Sequence, residues 1–260
     1  MKLGLINTDG LKAYLDNFPD DVESVFENLE DLSESRVGYD FHQSNSVVFS
    51  SKIEGEEIEL DSYIKHRFLG VSFKPDYTKR ADDLYEAYSL AFSSKLTESN
   101  ALKAHSLISK SLLPKSQRGV YRNAPMMIVD NDGRIVYEAC DTAALKNEMR
   151  QFWEDVELLL STKMVFAESL FFAAMIHLYW VKIHPLTDGN GRMGRLIEKW
   201  FLFEKLGEKA KMIHSERYYF ENKEVYYSSL TALGLFYEKT AFNEAIKFLE
   251  LLMNAIKAKK

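Results

Sequence analysis

The sequence predicts an all-α protein with one small β-hairpin set into it. Three observations carry that expectation. Apolar residues recur at helical spacing along most of the chain, strand-like runs occur at one place, and that place holds an Asp-Gly turn. With 260 residues the chain can bury a substantial interior, and no internal repeat, low-complexity tract or long Pro/Ser linker divides it, so a single globular unit is expected.

Along the chain, Val22, Val25, Phe26, Leu29 and Leu32 keep helical spacing behind Pro19 and Asp20, residues suited to a helix start. The stretch FHQSNSVVFSSKIEG, 41–55, reads as a helix closed by Gly55 at its C-cap, and acidic EEIEL follows. Residues 80–95 and 99–113 are each amphipathic, with Leu84, Tyr88 and Phe92 on one face of the first. MMIVD (126–130) and RIVYE (134–138) are β-rich runs separated by NDG, whose Asp132-Gly133 pair favours a short hairpin turn. Helical periodicity resumes near 142, runs through an apolar helix over 164–183, and restarts at Met193, Leu196, Ile197 and Trp200. Two or three more helices fill the C-terminal stretch, the last carrying Phe242, Ala245, Ile246, Leu249, Leu252, Met253 and Ile256, before a solvated KAKK tail.

Composition narrows the partners. Lys plus Arg total 33 against 39 for Asp plus Glu, and a net charge of −6 argues against a nucleic-acid backbone. The single cysteine, Cys140, excludes an intramolecular disulfide and a multi-Cys zinc site, and reads as a buried thiol in a reducing compartment. Asp9 interrupts the N-terminus before a signal-peptide core develops. The most apolar run, SLFFAAMIHLYWV (169–181), contains His177 and is too short to span a membrane. The expectation is a cytoplasmic protein with neither a nucleic-acid nor a membrane partner.

The chemistry concentrates in HPLTDGNGRMGR, 184–195. Pro185 disfavours the α conformation at His184, so the apolar helix should end there with the imidazole at the mouth of a loop. Gly189, Asn190 and Gly191 tolerate left-handed backbone and read as a tight turn into the next helix, whose first N–H groups make an anion cradle. Arg192 and Arg195, three apart, share one side of that helix and offer forked donors matched to phosphate oxygens. Asp188 is a hard oxygen ligand of the kind Mg²⁺ accepts beside nucleotide phosphates. A metal-bridged nucleoside triphosphate satisfies every group, and His184 can take a proton from a hydroxyl attacking phosphorus. The plainer alternative makes His184 a helix-end cap and the arginines surface salt-bridge partners.

The segment resembles the signature of the Fic family, H-x-F-x-[DE]-G-N-G-R-x-x-R, at every chemically defined position. The resemblance implies that His184 is the general base, Asp188 the metal ligand, Gly189, Asn190 and Gly191 the anion-binding turn, and Arg192 and Arg195 the phosphate-binding arginines. The sole departure is Leu186 where the family usually has Phe, an apolar anchor of smaller volume. Most family members transfer AMP from ATP to a Ser, Thr or Tyr hydroxyl of a target protein and release pyrophosphate. The fold this implies is a Fic-type helical bundle with a β-hairpin flap, matched by 126–138, whose exposed edge could hold a target segment as an added strand. N-terminal helices over 1–60, a core over 61–207 and C-terminal helices over 208–260 would make up the single unit.

Upstream, SSKIEG resembles the family's inhibitory motif [ST]-x-x-x-E-[GN], with Ser50, Glu54 and Gly55 at its defined positions and an inhibitory helix at about 42–55. In such relatives the glutamate pairs with the second arginine, here Arg195, and fills the room of the γ-phosphate. The alternative is that Glu54 belongs to a solvated acidic run with Glu56, Glu57 and Glu59. By the same resemblance Tyr226 and Tyr227 lie near the nucleotide base, although core packing is the more usual fate of such aromatics. His177 reads as a packed core residue, and His42, His66, His105 and His214 carry no signal. Rival readings are transfer of another phosphoryl-containing group, removal of AMP, and a non-catalytic nucleotide sensor. The chain could itself be a target, and a dimer is compatible with the sequence.

Overall fold

The computed structural model describes residues 2–29, 36–129 and 132–258. Leu32 of the first expected helix, Asp130 and Asn131 of the hairpin, and the end of the basic tail lie outside them. Among the described residues the chain forms twelve α-helices and one two-stranded sheet, the all-α fold with a single hairpin that the sequence predicts.

Two short helices, α1 (Leu11–Asp16) and α2 (Asp21–Glu27), bury Tyr14, Val22 and Phe26. Then α3 (Arg36–Ile53) stops just before Gly55, whose φ of +87° is the left-handed turn anticipated for it. Next, α4 (Leu60–Leu69) grows out of the acidic run, where too few apolar residues repeat to announce a helix. Pro75 occupies the first turn of α5 (Pro75–Ser93), an earlier start than the periodicity suggested. α6 (Glu98–Ile108) ends short of the expected 113, because the Ser109 hydroxyl returns to the His105 carbonyl (2.6 Å) and the chain enters 3₁₀ turns.

The hairpin pairs β1 (Met127–Val129) with β2 (Ile135–Glu138), Met127 opposite Glu138 and Ile128 opposite Tyr137. Asp141 caps α7 (Thr142–Ser161) by accepting from the Ala143 N–H at 2.7 Å. The two helices that carry the site follow, α8 (Phe166–Ile183) and α9 (Asn190–Leu206). The chain closes with α10 (Ser215–Glu221), α11 (Lys223–Thr231) and α12 (Ile246–Lys257). Phe242 and Ala245, expected in the last helix, precede it; Phe242 instead stacks on Tyr179 at 3.9 Å between ring centroids.

α8 is the core. Every residue from Ser169 to Trp180 is buried, as a helix apolar on all sides must be. By length and composition its 18 residues could cross a membrane, but 89% of them are buried inside the protein. A Cβ on Gly194 would stand 2.7 Å from the His177 ring and 2.8 Å from Val181, so only glycine lets α9 lie this close to α8. Helices from both ends of the chain, α1, α3 and α12, pack onto this pair.

Candidate functional site

α8 ends at His184, with φ 54° and ψ 57°, the one non-glycine among the described residues in left-handed backbone. Pro185 shuts off the α conformation, and Arg122 holds the alternative in place. Its buried guanidinium donates to the carbonyls of His184 (2.8 Å), Ala124 (2.9 Å) and Cys140, while its own N–H donates to the Pro185 carbonyl (2.9 Å). Ala124 and Cys140 flank the hairpin, so one side chain ties the flap's base to the candidate catalytic residue.

The His184 imidazole points Nδ1 at the Val181 carbonyl, 3.1 Å away. A carbonyl only accepts, so Nδ1 carries the proton and Nε2 keeps its lone pair. Burial lowers the His184 pKa, the Val181 carbonyl opposes it, and the Arg122 charge lowers it further against smaller pulls from Glu54 and Asp188. The net direction is downward, toward the neutral form a base requires.

The loop is braced from within. Leu186 is fully buried in the core cluster. The Asn190 side chain accepts from the Leu186 N–H (3.0 Å) and donates to the Leu186 carbonyl (2.8 Å), so it closes the turn on itself while only its backbone faces the helix start. Gly189, at φ +79°, precedes the first turn of α9. His105, which carried no signal in the sequence, accepts from the Gly119 N–H at Nδ1 (3.0 Å) and donates from Nε2 to the Asp188 carbonyl (3.1 Å). Burial pushes its pKa down to about 4, and it acts as a neutral strut. The Asp188 carboxylate is exposed, with one oxygen accepting from the Gly189 N–H at 2.6 Å. Among the described residues no three His, Cys, Asp or Glu gather into a metal cluster.

Both arginines meet the last turn of α3 or the segment just after it. Arg195, 1% exposed, donates from Nε to Ser50 Oγ (2.9 Å) and from Nη2 to the Ser50 carbonyl (3.1 Å) and Glu54 Oε1 (2.7 Å). Burial pushes the Glu54 pKa up, but the charges of Arg195 and then Arg192 outweigh it and hold the carboxyl below its ordinary range. A Cβ on Gly191 would sit 2.6 Å from Glu54 Oε1, so the glycine makes room for that carboxylate. Arg192 donates to Glu56 Oε1, whose side chain is 14% exposed. The acidic run is therefore not uniformly solvated: Glu54 and Glu56 take the two arginines, and Glu59 takes Lys52 at 2.8 Å.

The tyrosine pair divides. Tyr227 is exposed, whereas Tyr226 is buried, its hydroxyl 3.1 Å from His177 Nε2 and facing Arg195. His177 Nδ1 lies 2.8 Å from Glu198, so the core histidine backs the tyrosine that backs the arginine. A cavity of about 370 Å³ joins these parts, lined among others by Glu54, His184, Gly191, Arg195, Tyr227 and the flap's Ile128. A larger cleft of about 1350 Å³, beside α6 and α7, holds none of the signature residues. Lys182 also lines the smaller cavity, its ammonium 4.2 Å from the Tyr137 ring centre and its pKa lowered to about 8 by burial.

The flap is open on one side. The Glu138 N–H donates to the Leu235 carbonyl (2.7 Å) and Glu138 bridges Phe236, which occupies the outer edge of β2. No comparable partner lies on the outer edge of β1 among the described residues, and Met127, Ile128, Val129 and Ile135 are exposed.

Residues 95–202 match the model of the Fic/DOC family, a span that contains the whole 184–195 loop. Among solved structures the chain is similar to a Fic family protein from Desulfovibrio desulfuricans G20, at TM-score 0.77 and 19% identity over 99% of this chain and 76% of that one. It is similar to a Fic domain containing signaling protein from Bacteroides thetaiotaomicron VPI-5482, at TM-score 0.69 and 17% identity over 95% and 94% of the two chains. A fragment of Fic-1 from C. elegans superposes at TM-score 0.62 and 17% identity, over 96% of this chain and 70% of that one.

Proposed function

We propose, from the match of residues 95–202 to the Fic/DOC family model, that the chain is a protein adenylyltransferase restrained by its own Glu54. A target hydroxyl enters beside the flap, its oxygen attacks the α-phosphorus of ATP, and His184 Nε2 accepts the departing proton. The bond from the α-phosphorus to the bridging oxygen breaks, and pyrophosphate leaves. Arg192, Arg195 and the amides that open α9 hold the phosphates. Asp188 would be the protein's ligand to Mg²⁺, with phosphates and water completing the shell; the ion's contribution is to neutralise phosphate charge. The free β1 edge suits main-chain pairing with an extended target segment, or with a segment of another copy of this chain in self-modification. The lone buried thiol, Cys140, fits a cytoplasmic setting.

The observation that carries this reading is the His184 Nδ1 contact to the Val181 carbonyl at 3.1 Å, which leaves Nε2 to act as the base, on a residue that lines the same cavity as Arg195 and Gly191. Phosphate binding alone has no use for a base there. In the resting state Glu54 occupies Arg195 as an intramolecular anion, at no cost in translational freedom. The test is to incubate Glu54→Gly protein with Mg²⁺ and ATP labelled at the α-phosphate, with and without His184→Ala, and weigh the intact protein and added candidate targets. An AMP-sized gain that needs His184 is the expected result. Bound ATP without any such gain would turn the assignment to another transferred group, to AMP removal, or to nucleotide sensing.

A further inference from the structure

The two phosphate-site arginines are closed by two carboxylates, and only one of them belongs to the inhibitory motif. Glu56 stands to Arg192 as Glu54 stands to Arg195. The backbone sets this up: the Ser51 carbonyl accepts from both Glu54 N–H (3.0 Å) and Glu56 N–H (3.2 Å), and Gly55 at φ +87° doubles the chain back between them. The alternate carboxylates on either side of that glycine then reach the same loop. The Glu56–Arg192 pair is enclosed, with 14% and 6% of the side chains exposed, so water and salt screen it far less than a surface pair.

Glu56 also has a second cation within reach. Arg80 on α5, half-exposed at 50%, places Nη1 3.7 Å from the same Glu56 oxygen that Arg192 holds. A phosphate arriving at Arg192 must turn that carboxylate away, and Arg80 can receive it without crossing the cavity. Resting on the reading that Arg192 and Arg195 bind nucleotide phosphates, we propose that Glu56 is a second determinant of nucleotide affinity. It occupies Arg192 in the resting protein and passes to Arg80 when a phosphate displaces it. Glu54 governs the pose of the terminal phosphate, whereas Glu56 governs how tightly the nucleotide is held. The apparent affinity for a nucleoside diphosphate then equals the intrinsic affinity reduced by the fraction of molecules in which Glu56 has left Arg192.

The experiment is a double-mutant cycle on ADP affinity, measured by calorimetry with the full chain in Mg²⁺ buffer: wild type, Glu56→Gln, Arg80→Ala and the pair, each also made in the Glu54→Gly background and followed for AMP transfer. Loss of the charge-assisted bond in Glu56→Gln is expected to tighten ADP binding about tenfold. Arg80→Ala should weaken binding several-fold, and should have no effect once Glu56 is Gln, because its role runs through that carboxylate. Unchanged ADP affinity in Glu56→Gln overturns the proposal. So does an Arg80→Ala loss that persists without Glu56, which would make Arg80 a direct nucleotide contact. If Glu54→Gly transfers AMP in a His184-dependent way while Glu56→Gln leaves affinity untouched, the proposed function stands and only this inference falls. If no variant, the Glu54→Gly/Glu56→Gln protein included, binds ADP or ATP at millimolar concentration, both fall together.

Discussion

The 184–195 loop and the 126–138 flap face the same cavity and are built on opposite terms. In the loop, Leu186, Asn190, Met193 and Arg195 are buried, and polar side chains are spent on holding backbone: Asn190 on Leu186, His105 on Asp188, Arg122 on His184. The flap pairs three residues with four, and most of its side chains are exposed. The loop's backbone is held by the side chains of Asn190, His105 and Arg122, which under the proposed function suits chemistry requiring a base and a phosphorus in fixed relation. The flap offers little but a strand edge, which under the proposed function would suit many extended target segments with modest demand on sequence.

The first way to break this contrast is at the loop's base. His184→Ala should reduce transfer by a factor of about 10²–10⁴, the range a positioned base supplies, with ADP affinity unchanged; a comparable fall in affinity would make His184 a binding residue instead. The second acts where the halves join. Arg122→Lys keeps a charge but gathers its donors on one nitrogen, which cannot span the three carbonyls that Nε, Nη1 and Nη2 reach separately, so it should cost about 2–4 kcal/mol in stability, read from denaturant melts, and disturb both kcat and the KM for target. A variant that kept wild-type stability would show that the flap and loop are held by something else.

The third prediction concerns pH. The folded pKa of His105 lies near 4, below the ordinary histidine value of about 6.5, so on acidification the unfolded chain takes up the proton first. Its contribution is intact above about pH 6.5 and falls away between there and pH 4, by roughly 3 kcal/mol over that window. His105→Gln should flatten that part of the stability profile, and an identical slope in wild type and variant would remove His105 from the account. The smallest effect belongs to the flap: Val129→Glu should leave stability within about 0.5 kcal/mol while raising the KM for target several-fold. Loss of kcat instead would mean that the flap, too, positions the reacting groups.

Where the candidate site was legible in the sequence, it was because the residues involved are close in sequence and chemically unusual together. The turn, the His-Pro helix stop and the two arginines all lie within twelve positions, and Gly55 and Gly189 are recognisable from what only glycine does at a helix end. The hairpin showed itself through β-branched runs about Asp132-Gly133. Arg122 and His105 stayed hidden because each acts on backbone groups far along the chain, 62 residues away for Arg122 and His184 and 83 for His105 and Asp188, and no local pattern marks a side chain whose partners are carbonyls. Glu56 was obscured differently. Its neighbours are acidic, and composition cannot distinguish a carboxylate in water from one folded back onto an arginine. The short α4 failed to appear for the same reason, its one buried position, Tyr63, being outnumbered by charge.

The contact between Glu54 and Arg195 spans 141 residues, with the glutamate on the N-terminal side. During synthesis at about 5–20 residues per second, the segment bearing Glu54 therefore leaves the ribosome roughly 7–28 s before the arginine it pairs with. Under the proposed autoinhibition, the 184–195 loop is made in a chain that already holds its restraint, so the order of synthesis gives no interval in which the loop exists without the segment that covers Arg195. A restraint encoded after the loop would leave that interval open on every round of translation.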